Sequence, residues 1–590
     1  MPSSQLVQRG LEWEYALHHP GRVRPTWTKA PCLDAIKTTI ASHLRATTAE
    51  DLEATFIGEG SFNKTYKIHD TKNDELYALR IPLPVDPEHK TVAEVAAMEL
   101  LKQKTTLPSP RVVAYSATVD NDIGFEWILM SFMPGVQLGT CWLRLSMDQK
   151  RYITQQLAEY QAQMFCAQFT SIGSLRKTES DNYEVGRVIS MAAWWYNRVH
   201  DTTNKGPFNS FEDYIRAQTR LIANESKQCY DADMAEAEDK SEKGSDDDDD
   251  DDDESDFLII MENLRRLEAA LPKVFESLPK PTSDESSNIL TTLAHTDLSP
   301  DNILIDPVTC KITGIIDWED VNALPLGLAC QFPLILLPEA RPRYEEPDFD
   351  EYDSATDDED EEQKERQMGK SYGYGVKLRE YQCTQLRPYF LQEMERIYPE
   401  WVVQHHKGRE LRDLEVIMNR ADVYLEQRTL AAWLDCIEKG EKRTFLELDH
   451  LDQDRNEHPE YYEDEDPLFA DAEQADVDDV ASGSLEVPEE YSSIVPETSK
   501  DHDTARESGN VEAEDKAGSD GAIPERDESS KRTNIVEEQS GAQNQIEKAR
   551  MSSIPSTSGV VTATRRLWPA IVASIVLAGL LHALRRRNTK

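Results

Sequence analysis

The stretch HTDLSPDNIL, residues 295–304, and the stretch GIIDWED, residues 314–320, decide the fold of this chain. The first fits the pattern H-x-D-x-x-x-x-N followed by an apolar run, and in the second a β-type run leads to Asp317. Transfer of a phosphoryl group from ATP requires a carboxylate that orients an attacking hydroxyl and accepts its proton. It also requires Mg²⁺, which prefers hard oxygen ligands such as an Asn carbonyl oxygen or an Asp carboxylate. The spacing therefore predicts that Asp297, Asn302 and Asp317 surround one nucleotide.

These two stretches resemble the signature of the aminoglycoside phosphotransferase family, which shares the protein-kinase-like fold with choline and fructosamine kinases. Three further segments are similar to the large fungal branch of that family: KTVAEVAAM (90–98), LPSPRVVAY (107–115) and ILMSFMPG (128–135). The resemblance covers residues 52–440 apart from the acidic inserts. It implies that Asp297 is the catalytic base, that Asn302 and Asp317 bind Mg²⁺, and that His295 braces the catalytic loop.

The region before the motif holds the predicted nucleotide side of the site. Three short β-type runs separated by turn residues, and then a helix over 92–102, are typical of a small β-rich lobe. The resemblance assigns the nucleotide contacts to Gly58, Gly60 and Ser61 of a phosphate-covering loop, to Arg80 and Glu94, and to Ser131 and Met133 of the adenine-binding hinge. Asn63 replaces the usual third glycine of that loop, and a lone G-x-G is equally typical of a plain hairpin turn.

Arg80 in YALRIP stands at the strand position where kinases normally carry a lysine. Glu94 on the following helix is its expected ion-pair partner. Arginine keeps the charge, but its planar fork needs more room and can pair with two carboxylate or two phosphate oxygens. The replacement leaves two interpretations open: an active phosphotransferase, since Asp297, Asn302 and Asp317 are all present, or a pseudokinase that acts as a scaffold.

Long segments with helical periodicity follow Gly135 and predict a second, mainly helical lobe. They are residues 147–165, 211–221, 257–271, 378–398 and 411–437, with Pro388 expected to start, kink or split the fourth. The predicted fold class is α+β, a two-lobed protein-kinase-like fold with acidic disordered inserts and tail. The predicted domains are an N-terminal extension (1–50), the N-lobe (51–135), the C-lobe (136–450) with acidic inserts at 231–256 and 345–366, a disordered linker (451–566) and a transmembrane helix (567–584).

The chain is strongly acidic, with 64 Lys and Arg against 111 Asp and Glu and a net charge of −47 over 590 residues. Three segments hold almost all of the excess: 231–256, 345–366 and 451–550. This balance argues against a nucleic-acid binder, whose affinity comes from neutralising phosphates. Eight consecutive aspartates, Asp246–Asp253, predict a solvated loop, and the acidic segments are candidate contacts for basic protein partners.

Two features predict where the chain resides. The 8 cysteines are scattered without a CxxC pair, which indicates a reducing compartment and neither a disulfide framework nor a Cys-based zinc site. Residues 567–584, LWPAIVASIVLAGLLHAL, contain no Asp, Glu, Lys or Arg. As a helix they would span about 27 Å, close to the hydrocarbon thickness of about 30 Å. Basic residues flank both ends, so we expect a C-terminal anchor in the mitochondrial outer membrane, peroxisome or endoplasmic reticulum, with the catalytic domain in the cytosol.

The sequence thus predicts an enzyme that uses ATP and Mg²⁺ to phosphorylate a hydroxyl group of an unidentified small molecule. The alternative is a catalytically impaired pseudokinase tethered to a membrane as a scaffold. A protein kinase is disfavoured, because Asp317 stands in IDWE rather than D-F-G and no A-P-E pattern closes an activation segment after it.

Overall fold

The computed structural model describes a large part of the chain: residues 10–15, 23–243, 251–278, 289–337, 343–348, 362–423 and 426–457. All of them lie in one compact unit. Residues 451–457 of the predicted disordered linker, 451–566, are helical as the end of the helix Phe445–Glu457. The rest of that linker and the predicted membrane span, 567–584, lie outside the described residues. Among the residues described, no helix is both long enough and apolar enough to cross a membrane.

The N-terminal region is built on a five-stranded antiparallel sheet. Its elements in chain order are β1 (Leu11–Tyr15), β2 (Val23–Trp27), α1 (Leu33–Ala41), β3 (Leu52–Glu59), β4 (Asn63–Asp70), β5 (Glu75–Pro82), α2 (His89–Lys104), β6 (Val112–Ser116) and β7 (Trp127–Ser131). The sheet has the order β3-β4-β5-β7-β6, and β1 pairs with β2 as a separate hairpin. The predicted antiparallel meander is present as β3, β4 and β5, and α2 is longer than the predicted helix over 92–102.

Alternation of apolar and polar residues explains how this sheet acquires a core. Along β4, Tyr66, Ile68 and Asp70 are buried, while Lys67 and His69 between them are partly exposed, as the two-residue period of a strand requires. Ile36 and Ile40, four residues apart on α1, are fully buried against the same cluster. The segment predicted as an N-terminal extension, 1–50, therefore contributes part of the core of this region.

Helices dominate the region after β7, as predicted. They are α3 (Met147–Phe165), α4 (Met191–Trp194), α5 (Phe211–Lys243), α6 (Asp251–Ser277), α7 (Leu326–Ala329), α8 (Glu362–Ile397), α9 (Pro399–Lys407), α10 (Arg409–Arg420), α11 (Gln427–Lys439) and α12 (Phe445–Glu457). The bounds of α3 match the prediction because a capping box fixes its start. Ser146 Oγ accepts from Gln149 N at 3.3 Å, and Gln149 Oε1 accepts from Ser146 N at 2.9 Å.

Short strands cross this helical region and position the site. They are β8 (Val136–Gln137), β9 (Gln168–Phe169), β10 (Gly173–Lys177), β11 (Tyr183–Val185), β12 (Thr291–His295), β13 (Ile303–Ile305), β14 (Ile312–Ile315) and β15 (Val321–Pro325). They form two antiparallel sheets of orders β11-β10-β15-β12-β9 and β14-β13-β8. The sequence predicted β13 and β14 around the motif. It gave no sign of β8, β9, β10 or β11, which have two to five residues.

Parts of the acidic inserts are helical, which differs from the predicted disorder. Residues 231–243 extend α5, residues 251–256 begin α6, and residues 362–366 begin α8. Ala, Glu and Lys have high helix propensity, and carboxylates are favourable in the first turn of a helix. Of the predicted aspartate loop, 251–253 are therefore helical, and 246–250 lie outside the described residues.

Two helix boundaries also differ from the sequence expectation. Pro388 lies inside α8, which continues through it and is not split. The predicted helix over 411–437 is divided into α10 and α11. Arg420, at the end of α10, donates to Asp449 at 3.2 Å, so the break lets this part of the chain pack against α12.

Candidate active site

The predicted catalytic loop, residues 296–302, links β12 to β13 and is closed by Asn302. The side-chain nitrogen Nδ2 of Asn302 donates to Asp297 Oδ2 at 2.8 Å and to the Asp297 carbonyl oxygen at 3.0 Å. The other carboxylate oxygen, Asp297 Oδ1, is buried without a hydrogen-bond partner. Leaving a buried carboxylate oxygen unpaired is costly, so this atom marks a place where a ligand can donate.

His295 braces the loop against the turn that carries Asp317. Its Nε2 lies 3.2 Å from the carbonyl oxygen of Ile316, and its ring lies 4.8 Å from the Trp318 ring. Burial lowers the pKa of His295 to about 4, so the ring is neutral and Nε2–H donates to that carbonyl. Ile316 N donates in turn to the Asn302 carbonyl oxygen at 3.0 Å. These are the bracing contacts that the family resemblance implies for His295.

Asp317 follows β14 in a left-handed backbone conformation, with φ of 66°. Few residues other than glycine adopt this conformation, although aspartate tolerates it better than most. Its Oδ1 accepts from Arg80 Nη2 at 2.7 Å. Burial raises the pKa of Asp317, and the Arg80 guanidinium opposes that shift. Strained backbone of this kind persists where the surrounding structure holds it, and it is concentrated at functional sites.

Carboxylates crowd around these two aspartates. Burial, and then the neighbouring Asp317 carboxylate, raise the pKa of Asp297 to about 8. Burial also raises the pKa of Glu94 to about 7. Both shifts favour the protonated acids, and a cation bound beside them would favour the carboxylate forms instead.

Arg80 on β5 lies at the centre of an ion-pair network. Its Nη2 donates to Asp317 Oδ1 and also lies 2.6 Å from Glu319 Oε2, and its Nη1 lies 3.5 Å from Glu94 Oε1. The expected pair with Glu94 is therefore present. The contact with Asp317 was not expected, and it engages a carboxylate that the resemblance assigns to Mg²⁺.

Three more residues of the network were missed as site residues: Lys90, Asn63 and Glu319. Lys90 is 2% exposed and forms an ion pair with Glu319. Asn63 lies between them, since its Nδ2 donates to Glu319 Oε2 at 2.8 Å and its Oδ1 accepts from Lys90 at 3.3 Å. A helix predicted to begin three residues earlier would have placed Lys90 one turn before Glu94, on the same face.

The glycine loop, which contains Gly58, Gly60 and Ser61, lies where β3 joins β4 and is open at its tip. A Cβ atom built on Gly58 or Gly60 would meet nothing within 4 Å, and neither residue has a positive φ. These two glycines therefore leave open space at the tip of the loop, and the conformation of the turn does not require them. Ser61 is exposed, and the next residue, Phe62, is buried with its ring 4.7 Å from the Trp194 ring of α4. Phe62 thus anchors the end of the loop.

The predicted adenine-binding hinge begins at Ser131, the last residue of β7. Ser131 N donates to the Arg111 carbonyl oxygen at 2.9 Å, and Ser131 Oγ accepts from Arg111 N at 2.9 Å. Met133 is half-buried, and its Cβ lies 3.1 Å from where a Cβ on Gly314 would be. Since Gly314 belongs to β14, Met133 packs on the strand that leads to Asp317.

These residues fit a magnesium ion that arrives with a nucleotide. Asp297 Oδ1 is unpaired, and the side-chain oxygen of Asn302 takes no part in the hydrogen bonds that hold the loop. Over the described part of the chain, no group of three or more His, Cys, Asp or Glu could hold a metal by itself. Mg²⁺ is commonly bound by one or two carboxylates together with substrate phosphates and waters, so Asn302 and Asp317 would be enough protein ligands for an ion that a nucleotide brings.

Comparisons with known proteins find a family and several relatives to which this region is similar. Residues 53–325 match the phosphotransferase enzyme family, APH. A subtelomeric hrmA-associated cluster protein of Aspergillus fumigatus is 30% identical over 301 residues, which are 47% of this chain and 59% of that protein. Altered inheritance of mitochondria protein 9, mitochondrial, of Eremothecium gossypii is 24% identical over 306 residues, 46% of this chain and 48% of that protein. The chain thus spans between half and three fifths of the length of these relatives.

Two solved structures are also similar. The ethanolamine kinase of Plasmodium vivax is 13% identical with a TM-score of 0.35, over 70% of this chain and 84% of that one. The choline kinase of Cryptosporidium parvum is 15% identical with a TM-score of 0.31, over 72% of this chain and 96% of that one. The family match includes the glycine loop, the ion-pair network, the catalytic loop and the Asp317 turn. Residues 53–325 are therefore similar to the phosphotransferase enzyme family.

Proposed function

We propose that the chain transfers the γ-phosphoryl group of ATP to a hydroxyl group of a small molecule. One observation carries the proposal: the Asp297 carboxylate is held by Asn302 beside Asp317, with its Oδ1 buried and unpaired. Most buried carboxylate oxygens are hydrogen-bonded, so an unpaired one beside Asp317 fits a place that a substrate hydroxyl completes. The family match over residues 53–325 supports the same reaction class.

Each side chain of the site has a defined part in this reaction. Asp297 accepts the proton of the acceptor hydroxyl at Oδ1, and its pKa of about 8 suits a base that works near neutral pH. Asn302 keeps the other oxygen turned away from the acceptor. Asn302 and Asp317 would hold Mg²⁺, and the bound magnesium–ATP complex supplies the phosphoryl group and charge neutralisation. Neutral His295 keeps the loop and the Asp317 turn in register.

A small-molecule acceptor is favoured over a protein acceptor by the chain that follows the site. Asp317 is separated from β15 by only three residues, and β15 pairs with β12 in a buried sheet. No room is left there for the activation segment with which protein kinases bind their peptide substrates. The identity of the acceptor does not follow from the fold, because one fold serves many substrates.

The proposal is tested by measuring ATP consumption by the full chain with Mg²⁺ against a library of hydroxyl-bearing metabolites. We expect one class of compound to stimulate turnover. The variant Asp297→Asn should lower kcat by about 10²–10⁴-fold, because the general base is lost. Asp122→Asn, at an exposed aspartate, serves as the control and should leave turnover unchanged. Equal turnover in Asp297→Asn and the wild type would exclude Asp297 as the base.

A second candidate function, a membrane-tethered pseudokinase scaffold, is favoured by the contact between Arg80 and Asp317. In that case Arg80 would hold the metal carboxylate permanently, and the acidic segments would recruit basic protein partners. Nucleotide binding distinguishes the two candidates. A rise in melting temperature of the wild-type chain with ATP that requires Mg²⁺ supports the phosphotransferase, and no shift supports the scaffold.

We also propose that residues 567–584 hold the chain on a membrane with the phosphotransferase domain facing the cytosol. The support is an uncharged apolar segment with basic flanks. The relative from Eremothecium gossypii carries the word mitochondrial in its name, which favours the mitochondrial outer membrane over the peroxisome and the endoplasmic reticulum.

A further inference from the structure

Lys90, the second residue of α2, is a buried cation to which the proposed reaction assigns no role. It is 2% exposed, and its ammonium forms an ion pair with Glu319 Oε2. It also donates to Asn63 Oδ1 at 3.3 Å. A fully buried lysine is rare and is stable only when it is paired, so its position calls for an explanation.

Lys90 holds the carboxylate of Glu319 in place. The single oxygen Oε2 faces Lys90, lies 2.6 Å from Arg80 Nη2, and accepts from Asn63 Nδ2 at 2.8 Å. Asn63 begins β4 at the end of the glycine loop, and Glu319 stands two residues after Asp317. One carboxylate oxygen therefore joins β4, β5 and α2 to the turn that carries Asp317.

The balance of charge shows why a second cation is needed. Three carboxylates, those of Glu94, Asp317 and Glu319, lie within 3.5 Å of Arg80. Lys90 supplies a second positive charge, whereas without it all three would share one guanidinium and two negative charges would stay unneutralised. Charge interactions are strong where little water screens them, so the unneutralised carboxylates would repel each other and displace the Asp317 turn.

We infer that Lys90 is a positioning residue for the proposed phosphoryl transfer: through Glu319 it fixes the Asp317 turn to the glycine loop, so that Asp317 is held where Mg²⁺ arrives. The inference rests on the proposed function. Lys90 is buried beside Glu319 and Asn63, so it acts through these side chains and not by direct contact with a nucleotide in this inference. A lysine that served only the packing of α2 would affect folding without affecting the Mg²⁺ dependence of nucleotide binding.

Isothermal titration calorimetry of the full chain with the ATP analogue AMP-PNP tests the inference. In the presence of Mg²⁺, we expect Lys90→Met to weaken binding by about 10- to 100-fold, as loss of a residue that orients a metal ligand does. Without Mg²⁺ the same variant should bind about as well as the wild type. Lys150→Met is the matched control, since Lys150 of α3 is 0% exposed and donates to Gln382 Oε1 at 2.7 Å, outside the site. It should bind like the wild type under both conditions.

Glu319→Gln provides the second variant, because it removes the charge that Lys90 neutralises and keeps the size of the side chain. We expect the same loss that requires Mg²⁺. We also expect the losses in the double variant not to add, because both act through one contact. Circular dichroism checks that each variant is folded, and Glu319→Gln decides the outcome should Lys90→Met be unfolded. Wild-type affinity in the deciding variant overturns the inference alone, whereas absence of binding by the wild type with Mg²⁺ overturns the proposed function as well.

Discussion

Arg80 Nη2 contacts two carboxylates, those of Asp317 and Glu319, while Nη1 faces Glu94, so the planar fork spreads one positive charge over three carboxylates. A lysine at this position has a shorter reach and one ammonium group, so it would pair with Glu94 and release Asp317. We therefore expect Arg80→Lys to lower the Mg²⁺ concentration for half-maximal nucleotide binding. The shift should be about three- to tenfold, the equivalent of one hydrogen bond of about 1 kcal/mol.

The measurement is a titration of the full chain with Mg²⁺ at a fixed concentration of a fluorescent ATP analogue. Arg80→Met, which removes the cation, is the companion variant and should weaken nucleotide binding at every Mg²⁺ concentration. A higher Mg²⁺ requirement in Arg80→Lys would mean that Arg80 assists the metal site and does not compete with it.

Sequence reasoning reached some residues of the site and not others for a physical reason. Asp297, Asn302 and Asp317 lie in two short stretches with a known spacing, so their proximity could be predicted. The pair of Arg80 with Glu94 followed from the resemblance. The contacts of Lys90 and Asn63 with Glu319 could not be predicted, because they join segments more than 200 residues apart and depend on how the two regions pack.

Helix α12 likewise has one capping signal that is local in the sequence and one that depends on packing. Its start carries a local signal, since Thr444 N donates to Glu447 Oε2 at 3.0 Å and Glu447 N donates to Thr444 Oγ1 at 3.2 Å. A second cap comes from another helix: Asp413 of α10 accepts from Phe445 N at 2.8 Å and from Leu446 N at 3.0 Å. The first cap is visible in the sequence as T-x-x-E, and the second depends on packing.

We expect Asp413→Ala to lower the free energy of unfolding by about 1–2 kcal/mol, because two amides at the start of α12 lose their acceptor. Urea unfolding followed by circular dichroism measures the change. Glu410→Ala, at an exposed position of the same helix, is the control and should change stability by less than about 0.5 kcal/mol. A loss in Asp413→Ala no larger than that in the control would show that the Thr444 capping box is sufficient.

Strand length decided which elements could be predicted. Strands of eight residues such as β3, β4 and β5 contain β-type runs bounded by turn residues, and α3 with 19 residues gives a clear helical period. A strand of two residues, such as β8 or β9, has no measurable period and is defined only by its partner. The acidic helical segments were missed for a different reason, since a run of like charge suggests solvation whether or not the backbone is helical.

At the scale of the whole molecule, the site depends on contacts between distant parts of the chain. The glycine loop and Arg80 come from the five-stranded sheet, whereas the catalytic loop and Asp317 come from strands inserted among helices. The Arg80–Asp317 and Lys90–Glu319 pairs are therefore also contacts between the two regions. Binding of a nucleotide between them should affect the relative position of the regions as well as local geometry.

The proposed membrane attachment also concerns the whole molecule, because it would decide where the site meets a phosphoryl acceptor. We expect the full chain to remain in the membrane fraction after alkaline carbonate extraction. Two arginines in the apolar segment, Val572→Arg and Leu577→Arg, should release it, since each costs about 2.5–3.5 kcal/mol near the bilayer centre. Thr562→Arg and Thr564→Arg add the same charge outside the segment and should leave the chain in the membrane. Release of the wild type by carbonate would show that residues 567–584 do not anchor it, and the phosphotransferase would then be free to meet acceptors away from any bilayer.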